Sequence, residues 1–224
     1  MAEQAATDQY ADARKNMVDS QVRPNKVTDA RVLAAMRSLP RERFVTPSGV
    51  ALAYADEDVP LGGGRYLMEP MVLARLLQFA AIVPGERALV IAAGSGYGAA
   101  VMAACGARVT ALEDDSALAS MADGLLKELA PGVGVVKGPL AEGWPGGAPY
   151  DVILIEGAVR DIPPAVAKQL RADGGRLVGV LTGAGRTNQA VLAEATPAGL
   201  RAQPVFDCAT PALPSLMPAP VFEF

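Results

Sequence analysis

The sequence has no histidine, only two cysteines and one tryptophan, and aromatic residues make up 5% of it. Without an imidazole, Ser-His-Asp and Cys-His relays are excluded. Cys105 and Cys208 stand far apart with no CxxC spacing, so a zinc site lacks its ligands and no metal is expected. No apolar run approaches the roughly 18 residues that span a bilayer. The opening stretch MAEQAATDQYADARKN has no apolar signal core. A reducing, cytoplasmic setting is the expectation. The net charge of −4 gives nucleic acid and anionic membranes no electrostatic hold, so neither is expected as a partner. Basic residues gather in RPNKVTDAR and RSLPRERF, but acids interleave with them.

What is present is an apolar chain. Hydrophobic residues make up 51% of the 224, and charged residues 20%, enough for a sizeable core. The length suits one α/β domain with an accessory segment, or at most two small domains. The pattern changes near residue 69, which divides the chain into an N-terminal helical segment with a loop (1–68) and an α/β core with a tail (69–224). In the first part, YADARKNMVDSQV spaces Ala11, Met17, Val18 and Val22 at helical intervals. VTDARVLAAMRSLP repeats this with Val32, Leu33, Met36 and Leu39, and has Thr28 or Asp29 as N-cap and Pro40 as a stop. RERFVTPSGVALAYADEDVPLGGGRYL then reads as a long connection, of a length that is usually functional or mobile.

From Glu69 the order is regular. EPMVLARLLQFAAIV carries Leu73, Leu76, Leu77 and Ala80 on one helical face. RALVIAA, ARVTALE, VGVVKG, YDVILIEG and RLVGVL read as strands; YGAAVMAAC, SALASMADGLLKELA and IPPAVAKQLRADGG read as the helices among them. The strands are near-continuous Val, Ile and Leu, as expected when both faces of a sheet are covered. The alternation predicts a doubly wound, mostly parallel sheet. The end of the chain suggests an antiparallel strand pair followed by a proline-rich tail closing on apolar residues.

In such sheets ligands lie beyond the carboxyl ends of the strands, and AAGSGYG falls there. Gly94 and Gly96 permit positive φ and let backbone N–H groups approach a ligand. Nineteen residues after Gly94, Glu113 closes the next strand, where a carboxylate can accept both hydrogens of a ribose diol. Asp114 and Asp115 follow it, suited to starting and capping the next helix. Glu156 ends the fourth strand at the same crevice. G-S-G-Y-G-A also satisfies the looser dinucleotide pattern G-x-G-x-x-A, which leaves an NAD-type reading formally open.

Several segments together resemble the protein-L-isoaspartate O-methyltransferases, which use S-adenosylmethionine. MVDSQVRPNKVTDARVLAAMRSLPRERFV is similar to the family's N-terminal helices. VPLGGGRYLMEPMVLARLLQ is similar to its substrate loop and following helix, and GSGY to its cofactor loop. EGWPGGAPYDVILIEGAVRDIPPAVAKQLRADGGRLV matches its later run, and the segments keep the family's order. The resemblance implies a Rossmann-like methyltransferase fold and methylation of the carboxylate of isoaspartyl residues in damaged proteins or peptides, by a monomer or homodimer. It implies cofactor contacts from Ala93, Gly94, Ser95, Gly96 and Tyr97 at the methionine end. Glu113 and Asp114 would follow at the ribose, and the backbone of Gly138, Pro139 and Leu140 at the adenine. Arg65, Met68, Glu69 and Glu156 are the candidates for substrate contact. No residue is assigned a chemical step.

The departures fall at the same places. Val90 and Ala92 stand where the family's E-x-G-x-G-S-G has its acid and first glycine. GRYLMEP replaces wording similar to GQTISQP, so Met68 stands for a serine; Gly63 stands where many members have histidine. Pro139 stands for the aspartate of GDG. Beside the NAD-type reading, two readings remain open at this level. One is an isoaspartyl methyltransferase. The other is a diverged member with weak or no cofactor binding, or with another substrate.

Overall fold

The computed structural model describes residues 2–183 and 187–217, with side chains from residue 9 onward; the apolar close of the tail lies outside them. Helix α1 (Ala2–Met17) runs on through a wide turn, Val18–Val22, and a tight one, Arg23–Asn25, which contains Pro24. Helix α2 (Ala30–Ser38) is capped by Asp29, whose carboxylate accepts from the N–H groups of Arg31 (2.8 Å) and Val32 (3.4 Å). The connection after it contains an antiparallel hairpin, β1 (Val59–Gly62) and β2 (Arg65–Leu67), which periodicity did not reveal. Its strands are too short to show an alternation, and they form a sheet of their own. Helix α3 (Pro70–Ala80) follows, with Pro70 in its first turn.

The main sheet contains β3 (Arg87–Ile91), β4 (Arg108–Glu113), β5 (Gly134–Lys137), β6 (Val152–Val159), β7 (Arg176–Leu181), β8 (Asn188–Thr196) and β9 (Gly199–Cys208). The helices among them are α4 (Tyr97–Ala104), α5 (Ser116–Leu129) and α6 (Pro164–Ala167). The spatial order is β5-β4-β3-β6-β7-β8-β9; β3 to β7 are parallel, and β8 and β9 are antiparallel. Val90, Leu154 and Val178 enter the core under the N-terminal helices, α3 and α4. Leu89, Ile91, Ile153, Ile155 and Leu177 enter a second core on the other face. Burying side chains of this size stabilises the fold by about 1.5–3 kcal/mol each, before conformational entropy is subtracted. Both faces are covered, which is why these strands lack alternation. No helix among the described residues is long and apolar enough to cross a membrane.

One helix is shorter than its sequence suggests. IPPAVAKQLRADGG is helical only over Pro164–Ala167. Beyond it, Tyr150 N–H donates to Gln169 O (2.8 Å) and Arg171 N–H donates to Tyr150 O (2.8 Å). Those bonds draw Gln169–Arg171 alongside the chain entering β6. The Gln169 side chain is held as well, accepting from Trp144 N–H at 2.8 Å and donating to Glu142 O at 2.6 Å. Backbone pairing across the chain outweighs local helix propensity here.

Candidate active site at the carboxyl ends of the sheet

The sheet's strand order reverses between β3 and β6, and the crevice beyond their carboxyl ends is the expected ligand site. The turn after β3 supplies one wall. Gly94 (φ +56) and Gly96 (φ +95) use the left-handed backbone that glycine permits, but so does Ala92 (φ +61). A left-handed alanine is strained by about 1 kcal/mol relative to glycine. Ala92 stands where the family has glycine, and its positive φ is one that glycine adopts more easily. Val90 is fully buried between Ala111 of β4 and Leu154 of β6, so no polar group comes from that position.

Glu113 closes β4 with its side chain against this turn. Its Oε2 accepts from Gly94 N–H at 2.7 Å, and its Oε1 accepts from Asp114 and Asp115 N–H, both at 3.0 Å. The spacing read from sequence therefore does bring acid and glycine turn together. Arg65, from β2, meets them. Its Nη1 donates to Glu113 Oε1 (2.6 Å) and to Asp114 Oδ1 (3.0 Å), and its Nη2 donates to Glu113 Oε2 (2.9 Å). The Arg65 side chain is 6% exposed and that of Glu113 0%, so the fork is shielded from solvent. Burial pushes the Glu113 carboxyl up, and the Arg65 hydrogen bonds and charge oppose that push.

The other proposed cofactor residues face different partners. Ser95 is buried, with Oγ donating to Phe44 O at 2.5 Å, and Ala93 N–H donates to Leu112 O at 3.0 Å. Gly96 lies under Leu126, and a Cβ there would come within 2.8 Å of it. Tyr97 opens α4 fully buried; its ring makes an edge contact with Phe44 (5.3 Å between centroids) and lies 4.9 Å from the Arg41 guanidinium. Gly138 donates its N–H to Glu113 O at 3.2 Å, Pro139 is exposed, and Leu140 is buried.

Among the substrate candidates, Met68 is buried and its carbonyl accepts from Arg41 Nη2 at 2.7 Å. Glu69 sits at the start of α3 with its N–H on Asp58 Oδ1 (3.0 Å); burial, then Asp56 and Asp58, raises its carboxyl to about 7. Glu156 follows Val152 and Leu154 on the face of β6 that packs under α4, where the pairing with β7 shifts register between Leu154 and Ala158. It leans against the first turn of α4, where a Cβ on Gly98 would come within 2.2 Å of its Oε1. Burial raises it to about 8, which favours the neutral carboxyl at pH 7.

Sequence reasoning missed Arg41, Asp58 and the segment after β9. That segment crosses the strand ends: Ala158 N–H donates to Pro211 O (2.9 Å) and Leu213 N–H to Ala158 O (2.8 Å). Leu213 fills the space over Gly157, and Pro214 that over Gly64. Its prolines announced a tail, and nothing in its composition marked it as a roof. Beneath it Asp58, Gly64, Tyr66, Met68, Glu156 and Thr210 line a void of about 10 Å³, room for one water. Glu156 Oε1, Thr210 Oγ1 and Tyr97 Oη are buried with no hydrogen-bond partner among the described residues. On the outer side, Gly63, Arg65, Asp114, Asp115, Pro214 and Ser215 line an open hollow of about 240 Å³.

Residues 12–196 match the family described as protein-L-isoaspartate(D-aspartate) O-methyltransferase. A protein of that name from Methylorubrum populi is 42% identical over 166 residues, covering 74% of this chain and 78% of its own. One from Gloeobacter violaceus is 40% identical over 191 residues, covering 85% and 93%. A solved protein-L-isoaspartate O-methyltransferase superimposes with a TM-score of 0.79 at 25% identity, over 91% of this chain and 67% of the other. A Plasmodium falciparum protein solved with S-adenosyl-L-homocysteine shares the fold, with a TM-score of 0.74 at 18% identity, over 90% of this chain and 98% of the other. Glycine turn, paired acid and strand order thus coincide with sequence identity along most of the chain, which belongs to the protein-L-isoaspartate O-methyltransferase family.

Proposed function

We propose that the protein is an S-adenosylmethionine-dependent O-methyltransferase acting on the carboxylate of isoaspartyl residues in proteins or peptides. The observation that carries this is Glu113, held by Gly94 N–H at the reversal point of the sheet, where a ribose would be gripped. The donor set suits that cofactor in kind: a carboxylate for the diol, a positive-φ glycine turn, and the unpartnered Glu156 Oε1 at the same strand ends. S-adenosylmethionine supplies an activated methyl group. Gly94 to Tyr97 would hold its methionine end, Glu113 with Asp114 its ribose, and the backbone of Gly138 to Leu140 its adenine.

The chain's own task is then positioning. An acceptor carboxylate is already an anion at neutral pH, so no general base is required and the lack of histidine is no obstacle. Alignment in a water-excluded crevice can supply most of the acceleration. Neutral Glu156, and Glu69 at about 7, would repel an incoming carboxylate far less than two charged acids. Arg65, Met68, Glu69 and Glu156 are the substrate-side candidates. We take residues 1–68 as a cap on the 69–224 core, a cytoplasmic location, and a monomer or homodimer as part of the same reading. The test is methyl transfer from labelled S-adenosylmethionine to an isoaspartyl peptide and to its aspartyl twin. A base-labile ester on the first alone is expected. No transfer to the isoaspartyl peptide, by a chain that binds S-adenosylhomocysteine, would overturn the substrate assignment.

A further inference from the structure

We propose that Arg65 is an internal counter-ligand: its guanidinium occupies the Glu113 carboxylate in the ligand-free chain, and the nucleoside cofactor binds only as Arg65 withdraws. This rests on the reading of Glu113 as the ribose acid.

Both Glu113 oxygens are fully engaged. Oε1 accepts from Arg65 Nη1 and from two backbone N–H groups; Oε2 accepts from Arg65 Nη2 and from Gly94 N–H. A ribose diol brings two donors to an acid that has no acceptor site left for them. The backbone donors are fixed by the chain's path, so the guanidinium is the partner that can leave. The space is divided accordingly. The void inside the hairpin tip is about 10 Å³ and the hollow outside it about 240 Å³, whereas small-molecule sites occupy roughly 300–1,000 Å³. Neither alone takes a nucleoside with an amino-acid arm, and the hollow of about 360 Å³ that adjoins at Ser215 does not include Glu113 in its lining.

Arg65 is also mounted on a hairpin that is hydrogen-bonded apart from the main sheet and tied to the core by Val59, Leu61 and Leu67. The β1–β2 hairpin makes no ladder with the main sheet, and its tip Gly62–Gly64 has positive φ throughout. Its displacement breaks no sheet pairing. Pro214 rests on Gly64, so the segment after β9 must yield with it. A ligand that binds only the withdrawn arrangement has its affinity lowered by the fraction of chains in that arrangement.

The test is calorimetric titration of the full chain with S-adenosylhomocysteine, for wild type, Arg65→Gln and Arg65→Lys. Arg65→Gln removes the charge, and the expected result is binding at least tenfold tighter than wild type. Arg65→Lys keeps the charge but loses the fork, and is expected to fall between them. Thermal melts give the complementary readout. Without ligand Arg65→Gln melts below wild type, and saturating S-adenosylhomocysteine raises its melting temperature by more than that of wild type. If Arg65→Gln does not fold, Arg65→Lys carries the same expectation of tighter binding. Unchanged or weaker affinity in a folded variant, beside measurable wild-type binding, overturns the counter-ligand and leaves the methyltransferase reading standing. Binding by none of the three chains at millimolar concentration overturns both.

Discussion

The sheet carries an arginine–glutamate fork at each end, and the two are built alike but placed differently. At the amino ends, Arg176 of β7 donates to Glu86 Oε1 (2.9 Å) and Oε2 (2.8 Å) and also holds the carbonyls of Ala80 and Ala81. That pair ties the end of α3 to the start of the sheet, and its side chains are 15% and 17% exposed. It fills no crevice. At the carboxyl ends, Arg65 and Glu113 form the same fork with almost no exposure, at the switch point where the fold places ligands. A buried ion pair is weak evidence of stability, because desolvation offsets much of the attraction. One fork joins structural elements, whereas the other holds a binding group in a form that a ligand must undo.

Removing one acid from each fork separates them most strongly. Glu113→Ala leaves the buried Arg65 guanidinium with Asp114 alone and three backbone N–H groups without their acceptor, and is expected to cost about 3–5 kcal/mol in urea unfolding. Glu86→Ala, whose arginine keeps two carbonyl partners and some solvent, is expected to cost roughly 1 kcal/mol. Equal losses would abolish the distinction.

Glu156 lies only at the carboxyl end and gives that end a pH dependence. It keeps its proton in the folded chain to about pH 8, while the unfolded chain loses it near 4.5. The unfolded state therefore binds fewer protons in between, and this group lowers wild-type stability as pH rises from about 4.5 to about 8. The charged groups that act on it are Arg65, Glu113 and Arg41. Glu156→Gln is expected to match wild type near pH 4.5 and exceed it by a few kcal/mol at pH 8, read from unfolding midpoints across that range. Parallel profiles would show that Glu156 is ionised in the folded chain.

Ligand affinity gives a third contrast. Where Arg65→Gln gains about tenfold for S-adenosylhomocysteine, or about 1.4 kcal/mol, Arg176→Gln is expected to gain nothing. The smallest effect is at the strained turn. Ala92→Gly should stabilise the chain by up to about 1 kcal/mol, since glycine takes φ +61 without the Cβ conflict. A loss of stability instead would mean that the buried Ala92 methyl contributes more by packing than its backbone strain costs.

The parts of this site that were legible in the sequence are those set by local pattern. Continuous apolar runs gave β3, β4, β6 and β7, because strands covered on both faces have nothing polar to show. Gly94, Gly96 and Glu113 followed from spacing within one strand–helix–strand unit. The Arg65 fork was not legible. Its partner lies 48 residues away, and an arginine in a glycine-rich loop looks the same whether it faces solvent or a buried acid. Glu156 was placed at the crevice, and alternation with Val152 and Leu154 gives it the α4 face, but its burial against Gly98 depends on α4 packing that composition does not encode. The roof formed by Pro211 to Pro214 read as a tail for the same reason. Its hydrogen bonds are with backbone groups of β6, and Leu213 and Pro214 pack over glycines far away in the chain.

The central claim concerns one guanidinium, and nitrogen-15 NMR of an arginine-labelled chain observes it directly. In the ligand-free protein the Arg65 Nη hydrogens, buried on Glu113, should give resolved, slowly exchanging signals, assigned by their loss in Arg65→Lys. Saturation with S-adenosylhomocysteine should abolish those signals while the Arg176 signals persist. Arg65 signals that survive unchanged in the ligand-bound protein would contradict the account.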